Sequence, residues 1–303
     1  MDVVKLRPAI KNNIWGGTYF QLYGKGLMEK RVAECWELSM YKGSASIIAS
    51  GENKGKSLDE IMKEEDVGPI QKSFPYFPLL VKLIDARDNL SVQVHPSDTY
   101  ALKNENSFGK SEMWYILSAD EGAGIYVGLN QDYKKEEIEQ KLNDSSILEA
   151  LNFYQVKPGE TYMINPGTIH AIGAGVRLIE IQQNSNLTYR LFDYLRQDDQ
   201  GNYRELHIEK ALKVIDFNKY EKEEIHGDLL QKNKYFTVER KEIEDELSIN
   251  ADKDSFITFT MIEGQGYVND IPYRQFDTFL VPHGKVAVVR GKGIAIISQI
   301  EKK

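Results

Sequence analysis

The chain has 303 residues, with 38 Lys and Arg against 46 Asp and Glu, so its formal charge is −8. This acidic excess argues against a nucleic-acid or anionic-membrane partner, because both need clustered basic side chains, and no apolar run has the roughly 18 residues of a membrane span. One cysteine, Cys35, excludes an internal disulfide and a cysteine-based zinc module. We expect a cytoplasmic protein whose metal site, if present, uses nitrogen and oxygen ligands.

Strand-like segments dominate the sequence. They are short, rich in Val, Ile, Tyr and Phe, and separated by Gly, Pro, Asn and Asp, which is the pattern of β-sandwiches and barrels. In chain order they cover residues 77–86, 90–95, 113–117, 124–129, 153–156, 161–164, 176–182, 256–262, 278–281, 285–289 and 293–298. The sequence therefore predicts a mainly β fold.

Helical segments are few. Ser57 and Ser146 are each followed by a Glu three residues later, and both patterns predict a capping box that opens a short helix. Apolar spacing over residues 205–217 predicts an amphipathic helix. The charged tract at 219–224 follows, so we predict two domains, 1–222 and 223–303.

An internal repeat supports two related domains. Residues 160–170 align with residues 277–287 without a gap, and the alignment matches an acid, a Thr, an aromatic residue, two aliphatic residues and a glycine. The first copy ends in His170, whereas the second has Ala287 at that position. The repeat predicts that the chemistry lies in the N-terminal domain.

A polar row runs along the segment 90–95. Ser91, Gln93 and His95 share one face of this strand because side chains alternate with period two. Such a row faces either bulk water or the lined interior of an open barrel. The preceding apolar run, 77–86, has the composition of a central strand buried on both faces, which favours the interior.

Glu112 and His170 extend this row to a candidate metal site. Together with Gln93 and His95 they offer two imidazoles, a carboxylate and an amide oxygen, a set that suits Zn²⁺ with a position open for substrate. Two His and one carboxylate also describe non-haem Fe(II) oxygenases, so ligand types alone leave the metal open. The remaining histidines are assigned structural or surface roles: His207, His226 and His283.

Lys110 and Arg190 form a candidate anion site. Arg can hold a phosphate through its planar fork and Lys as a point charge, although each is also compatible with a solvated surface cation. No glycine-rich phosphate loop and no Gly-x-Ser-x-Gly elbow is present. Cys35 has acidic neighbours, Glu34 and Glu37, that disfavour a thiolate nucleophile.

Several motifs together resemble one family, type I mannose-6-phosphate isomerase in its short bacterial form. They occur in order between about residue 14 and residue 215. The matching segments are 14–17, 34–36, 77–86, 90–96, 109–117, 167–173, 188–190 and 204–208. The resemblance implies a cupin (jelly-roll) barrel followed by a second, degenerate cupin domain without metal ligands.

The resemblance also implies a site. One Zn²⁺ per chain is expected on Gln93, His95, Glu112 and His170. Arg190 and Lys110 match active-site positions, Ser91 and Glu180 match pocket positions, and Asn186 stands where many relatives have Asp. The implied catalytic residues are thus Arg190, Lys110 and Glu180, and the implied substrate-binding residues are Ser91, Lys110, Arg190 and Asn186.

The implied reaction interconverts mannose 6-phosphate and fructose 6-phosphate through a cis-enediol. Glu180, a ligand histidine and water on the metal are all candidates for the base. Alternatives are an isomerase or epimerase of another phosphosugar, a cupin Fe(II) dioxygenase, and a catalytically silent sugar-phosphate sensor, which Asn186 favours. We expect a small phosphosugar partner, no nucleic-acid or membrane partner, and a monomer or homodimer.

Overall fold

The structure, a computed structural model, describes residues 1–198, 200–223, 227–251 and 254–300. His226 and Glu224, the end of the predicted charged tract, lie outside these residues. The strands are β1 Val4–Arg7, β2 Ala9–Lys11, β3 Glu34–Leu38, β4 Ile47–Ile48, β5 Leu79–Ala86, β6 Val92–Val94, β7 Glu112–Ala119, β8 Gly124–Leu129, β9 Leu151–Gln155, β10 Thr161–Ile164, β11 His170–Ile172, β12 Val176–Gln183, β13 Tyr189–Phe192, β14 Leu229–Lys232, β15 Phe236–Ile243, β16 Glu246–Asn250, β17 Ile257–Val268, β18 Ile271–Arg274, β19 Thr278–Val281 and β20 Val286–Ile300.

The helices are short and lie between the strands. The α-helices are α1 Leu58–Ile61, α2 Glu64–Val67, α3 Asp98–Asn104, α4 Lys135–Asn143 and α5 Ile208–Ala211. Three 3₁₀ helices cover Tyr19–Tyr23, Pro69–Ser73 and Ile147–Ala150. The prediction of a mainly β fold with a few short helices is confirmed. Within the described ranges, no helix combines the length and apolarity of a bilayer span.

Three antiparallel sheets organise the strands. A six-stranded sheet has the order β10-β7-β12-β5-β3-β2, and a five-stranded sheet has the order β13-β6-β11-β8-β9. Their inner faces pack together: Ile84 and Trp114 of the first sheet share one apolar cluster with Val127 and Ile172 of the second. These two sheets form a barrel-like unit, and the cavity described below lies within it.

β5 is the central strand that the sequence predicts. All eight of its residues are buried, including Lys82 and Asp85, and it pairs with β12 on one side and β3 on the other. A strand that is covered on both faces reads as a continuous apolar run. The lysine within this run therefore needs buried partners of opposite charge.

The third sheet has nine strands, and β20 is among them. β20 is one continuous strand, whereas the sequence predicts two, at 285–289 and 293–298. The prediction of a break was wrong because β20 continues to pair with β17 on both sides of Gly291. Gly291 accommodates the irregular backbone there with a φ of 129°.

The predicted helix over 205–217 was too long. α5 covers Ile208–Ala211, and the following residues close as a turn in which Val214 N donates to Ala211 O. Both helix starts at Ser57 and Ser146 are correct in position, but neither serine caps the backbone. Each serine hydroxyl donates to a nearby carboxylate, that of Asp59 or Asp144.

The internal repeat has the same local structure in both copies. Each copy is a strand, a turn and a second strand, with Gly167 at φ 93° and Gly284 at φ 73° in the turn. The division at residue 222 stays a prediction. The nine-stranded sheet also takes two N-terminal strands, since β1 lies between β19 and β4.

Candidate metal centre and active site

Six residues singled out from the sequence line the same cavity, which has a volume of about 420 Å³. They are Ser91, Gln93, Lys110, Glu180, Asn186 and Arg190. Asn186 is exposed, whereas Ser91, Lys110 and Glu180 are buried. The polar row of the segment 90–95 therefore faces the interior of an open barrel rather than bulk water.

Three buried side chains form a possible metal cluster beside this cavity. His95, Glu112 and His170 each present a ligand atom, and these atoms lie within 4.8 Å of one another. Glu112 opens β7 and His170 opens β11, so the cluster joins both sheets of the barrel. Residues that are distant in sequence meet here because the two sheets face each other.

Both imidazoles have a fixed orientation. His95 Nδ1 lies 2.9 Å from Leu187 O, and His170 Nδ1 lies 2.8 Å from Thr168 O. A carbonyl is an acceptor, so each Nδ1 carries the proton, which leaves the lone pair of each Nε2 directed at Glu112. The Nε2–carboxylate distances are 3.5 Å for His95 and 3.4 Å for His170.

The charges of the cluster fit a divalent cation. Burial lowers the pKa of His95 well below its usual value and that of His170 to about 4, so both imidazoles are neutral at neutral pH and could act as ligands. Burial and then the charge of Glu180 raise the pKa of Glu112 to about 7. Among the described residues, His170 Nε2 and Glu112 Oε1 have no hydrogen-bond partner. Two unpartnered buried atoms 3.4 Å apart are the arrangement a metal ion would complete.

Gln93 lies beside the cluster. On β6 it is directly opposite His170 of β11 on one side and Arg190 of β13 on the other. Side chains that are directly opposite in neighbouring strands project to the same face of the sheet. Gln93 thus shares a face with one ligand histidine and with the predicted active-site arginine.

A buried charge network extends from the cluster across the six-stranded sheet. Lys110 Nζ lies 2.6 Å from Glu112 Oε2 and 3.8 Å from Glu180 Oε1. Glu180 also accepts from Lys82 Nζ at 2.9 Å and from Trp114 Nε1 at 3.0 Å. Although burial raises the pKa of Glu180, Lys110 and Lys82 lower it to about 2. The two neighbouring ammonium groups therefore favour the ionised form of Glu180.

Sequence reasoning missed Lys82 and Glu34. Lys82 also pairs with Glu34, at 3.5 Å, and Glu34 accepts from Trp36 Nε1 at 2.7 Å and from Asn13 Nδ2 at 2.9 Å. Although burial lowers the pKa of Lys82, Glu180 and Glu34 raise it above its usual value. A lysine inside the apolar run 77–86 was the signal available in the sequence.

Arg190 lies at the edge of the cavity. Its Nη1 donates to Glu205 O at 2.6 Å, and its backbone N donates to His207 Nδ1 at 3.2 Å. His207 therefore supports the strand that carries Arg190. Burial and the neighbouring Arg204 lower the pKa of Arg190, while Arg204 itself is paired with Asp193.

Comparisons with known proteins identify relatives of this chain. Residues 3–122 match the family model for the phosphomannose isomerase type I catalytic domain. The chain is 35% identical over 294 residues to mannose-6-phosphate isomerase ManA of Bacillus subtilis, covering 92% of both chains.

Solved structures show the same fold. The crystal structure of the Bacillus subtilis mannose 6-phosphate isomerase matches with a TM-score of 0.86 and 32% identity, covering 98% of this chain and 99% of that one. A zinc-bound mannose 6-phosphate isomerase matches with a TM-score of 0.79 at 16% identity and full coverage of both chains, a likeness of fold. The expected cupin-like β fold is confirmed. The chain belongs to the type I phosphomannose isomerase family.

Proposed function

We propose that this protein is a zinc-dependent isomerase that interconverts mannose 6-phosphate and fructose 6-phosphate. The observation that carries the proposal is the buried His95–Glu112–His170 cluster beside a cavity rich in cationic side chains. The name of the Bacillus subtilis relative, a mannose-6-phosphate isomerase, supports the choice of substrate. The zinc-bound structure of the same fold supports the choice of zinc as the metal.

Gln93, His95, Glu112 and His170 are the proposed ligands. Two neutral imidazoles, one carboxylate and one amide oxygen match the donors that zinc takes in catalytic sites. The carbonyls of Leu187 and Thr168 hold the two histidines in the required tautomer. When bound, zinc orients the sugar oxygens and stabilises negative charge on them as a Lewis acid.

Lys110 is the residue best placed to act at the reacting carbons. Its ammonium lies between the cluster and the cavity, in contact with Glu112 Oε2 and 3.2 Å from His95 Nε2. A fixed positive charge at this point would stabilise the oxyanion that develops as the C2 proton passes to water in the site and a cis-enediol forms. Arg190 adds a second positive charge from the opposite wall, and Ser91 adds a hydroxyl.

Glu180 is proposed to position rather than to accept a proton. A carboxylate with a pKa of about 2 is a weak base at neutral pH. Its two oxygens hold Lys82 and Trp114, and the nearby Lys110 is drawn to the same charge. Glu180 thereby fixes the two ammonium groups that face the substrate.

The alternatives drawn from the sequence have less support. A third imidazole in place of Gln93 and a less cationic cavity would suit a dioxygenase better. A silent sensor would explain Asn186, whereas the buried contact between Lys110 and Glu112 at the cavity supports an enzyme.

Deuterium exchange tests the enediol route. Mannose 6-phosphate is converted in D₂O, and the product is analysed by NMR for deuterium at C1. The proposal predicts solvent deuterium at that carbon, because the removed proton is held by a group that can exchange. Product free of solvent deuterium would point to direct hydride transfer and contradict this route.

A further inference from the structure

We propose that Lys11, Lys42 and Ser44 form the subsite that holds the phosphate of the substrate at the mouth of the cavity. The inference rests on the proposed function and adds to it the residues that select a phosphorylated sugar. All three residues line the same cavity as Gln93 and Lys110.

The first observation is the distribution of charge. Six basic side chains line the cavity: Lys11, Lys42, Lys82, Lys110, Arg190 and Arg204. Three of these are neutralised by carboxylates, because Lys82 pairs with Glu180, Lys110 with Glu112 and Arg204 with Asp193. The other three are Lys11, Lys42 and Arg190, which form no ion pair in the part of the chain that the structure describes. Their charge is available to an anionic ligand.

The second observation concerns Lys11 and the carboxylate nearest to it across the strands, that of Glu34. Lys11 on β2 lies directly opposite Glu34 on β3. The oxygens of Glu34 are already engaged by Asn13 and Trp36. Lys11 instead lies over the ring of Trp36, 4.5 Å from its centroid, and donates to Ser44 Oγ.

Ser44 and Lys42 come from one ordered turn. Ser44 N donates to Tyr41 O at 2.7 Å, which closes the turn between β3 and β4, and Gly43 has a φ of 76°. Because Ser44 Oγ accepts from Lys11, its own hydroxyl proton remains available to a phosphate oxygen. Two ammonium groups and one hydroxyl on one side of the mouth match the acceptors of a phosphate dianion.

The outer strands of both sheets contribute to the cavity. β2, which carries Lys11, is the outer strand of the six-stranded sheet, and β13, which carries Arg190, is the outer strand of the five-stranded sheet. Both outer strands border the cavity, whereas Gln93 and Lys110 adjoin the metal cluster. In this proposal a sugar whose C1 and C2 oxygens reach the cluster has its C6 phosphate against Lys11, Lys42 and Ser44.

The test uses the zinc-loaded enzyme and three variants, Lys11→Met, Lys42→Glu and Lys11→Arg, with Lys54→Met as a control. Lys54 is exposed and lies outside the cavity. The measured quantities are kcat and KM for mannose 6-phosphate and the competitive inhibition constant of inorganic phosphate. Lys42 is itself exposed, so replacing it leaves the core intact.

We expect Lys11→Met and Lys42→Glu each to raise KM and the phosphate inhibition constant by about ten-fold or more, as loss of a charge-assisted contact requires. Lys11→Arg and Lys54→Met should stay within about twofold of the parent enzyme. The subsite would be overturned if Lys11→Met and Lys42→Glu both left KM and the phosphate inhibition constant unchanged. It would also be overturned if these two variants lowered only kcat.

Failure of the subsite and failure of the proposed function are distinguishable. If the parent enzyme does not convert mannose 6-phosphate, the proposed function fails whatever the variants do. The binding of inorganic phosphate, measured by calorimetry, then still tests the subsite. Weaker binding to Lys11→Met and Lys42→Glu than to the parent protein supports the subsite, and equal binding contradicts it.

Discussion

Gln93 on β6 lies directly opposite His170 on β11, so an amide and an imidazole that are far apart in sequence project from neighbouring strands to one face. Glu112 Oε1 approaches the same imidazole from the other sheet, 3.4 Å from His170 Nε2. Side chains from both sheets thus converge on the imidazole of His170.

Removing a ligand should remove the metal. We predict that His95→Ala and Glu112→Ala abolish both zinc retention and isomerisation, since each leaves the cluster with too few donors. Glu121→Ala, which removes an exposed carboxylate from the turn between β7 and β8, should retain both. Zinc content by atomic absorption and an activity assay check this; retention of metal and activity in His95→Ala would refute the ligand assignment.

Zinc affinity should depend on pH through Glu112. Its pKa of about 7 means that below pH 7 zinc must displace one proton from the carboxylate. The pKa of His170, about 4, and the lowered pKa of His95 keep both imidazoles neutral down to about pH 5. The dissociation constant should rise about ten-fold per unit as pH falls from 7 to 5 and be flat above 7.

Chelator competition between pH 5 and 8 measures this dependence. A flat profile would contradict the raised pKa of Glu112. A break near pH 6.5 with a steeper slope would show instead that the histidines titrate at their usual value.

The role of Glu180 can be separated from that of a base. If it positions Lys82, Glu180→Gln removes the largest influence that raises the pKa of that lysine. The alkaline limb of the kcat profile should then move to lower pH, with zinc content unchanged. If Glu180→Gln instead lowers kcat by about 1,000-fold or more and leaves the alkaline limb at the same pH, Glu180 is the proton acceptor.

The polar row of the segment 90–95 could be predicted from the sequence because its position depends only on the period-two alternation of a strand. Alternation along residues 90–95 places Ser91, Gln93 and His95 on one face whatever lies beside them. Pairs such as Lys82 and Glu180 could not be predicted, because they depend on the order of strands in the sheet. For the same reason, the position of Lys11 at the cavity could not be predicted from the sequence.

The continuity of β20 shows a case in which local composition predicted the wrong structure. Arg290-Gly-Lys-Gly293 has the composition of a turn, and local chemistry predicts a break there. Tertiary pairing overrides it, since β17 supplies partners on both sides of Gly291. The predicted helix over 205–217 failed because the chain turns after Ala211.

The N-terminal strand should contribute to the stability of the whole chain. Leu6 on β1 is 2% exposed and lies between Thr278 of β19 and Ile48 of β4. We predict that Leu6→Ala lowers the free energy of unfolding by about 2–5 kcal/mol. Leu22→Ala, at a position 81% exposed, should change it by less than about 0.5 kcal/mol.

Thermal and urea unfolding measure both variants. Because β1 joins a sheet built mostly from the C-terminal strands, we propose that residues 1–222 and 223–303 unfold together in one transition. Two separate transitions, with only the first moved by Leu6→Ala, would show that the predicted domains are independent.

The most direct test of the account is the conversion of mannose 6-phosphate to fructose 6-phosphate by the purified protein. The assay is run before chelation, after chelation and after zinc is returned. We expect activity that disappears on chelation and recovers when zinc is returned. Absence of activity in the zinc-loaded protein, or full activity after the metal is stripped, would contradict it.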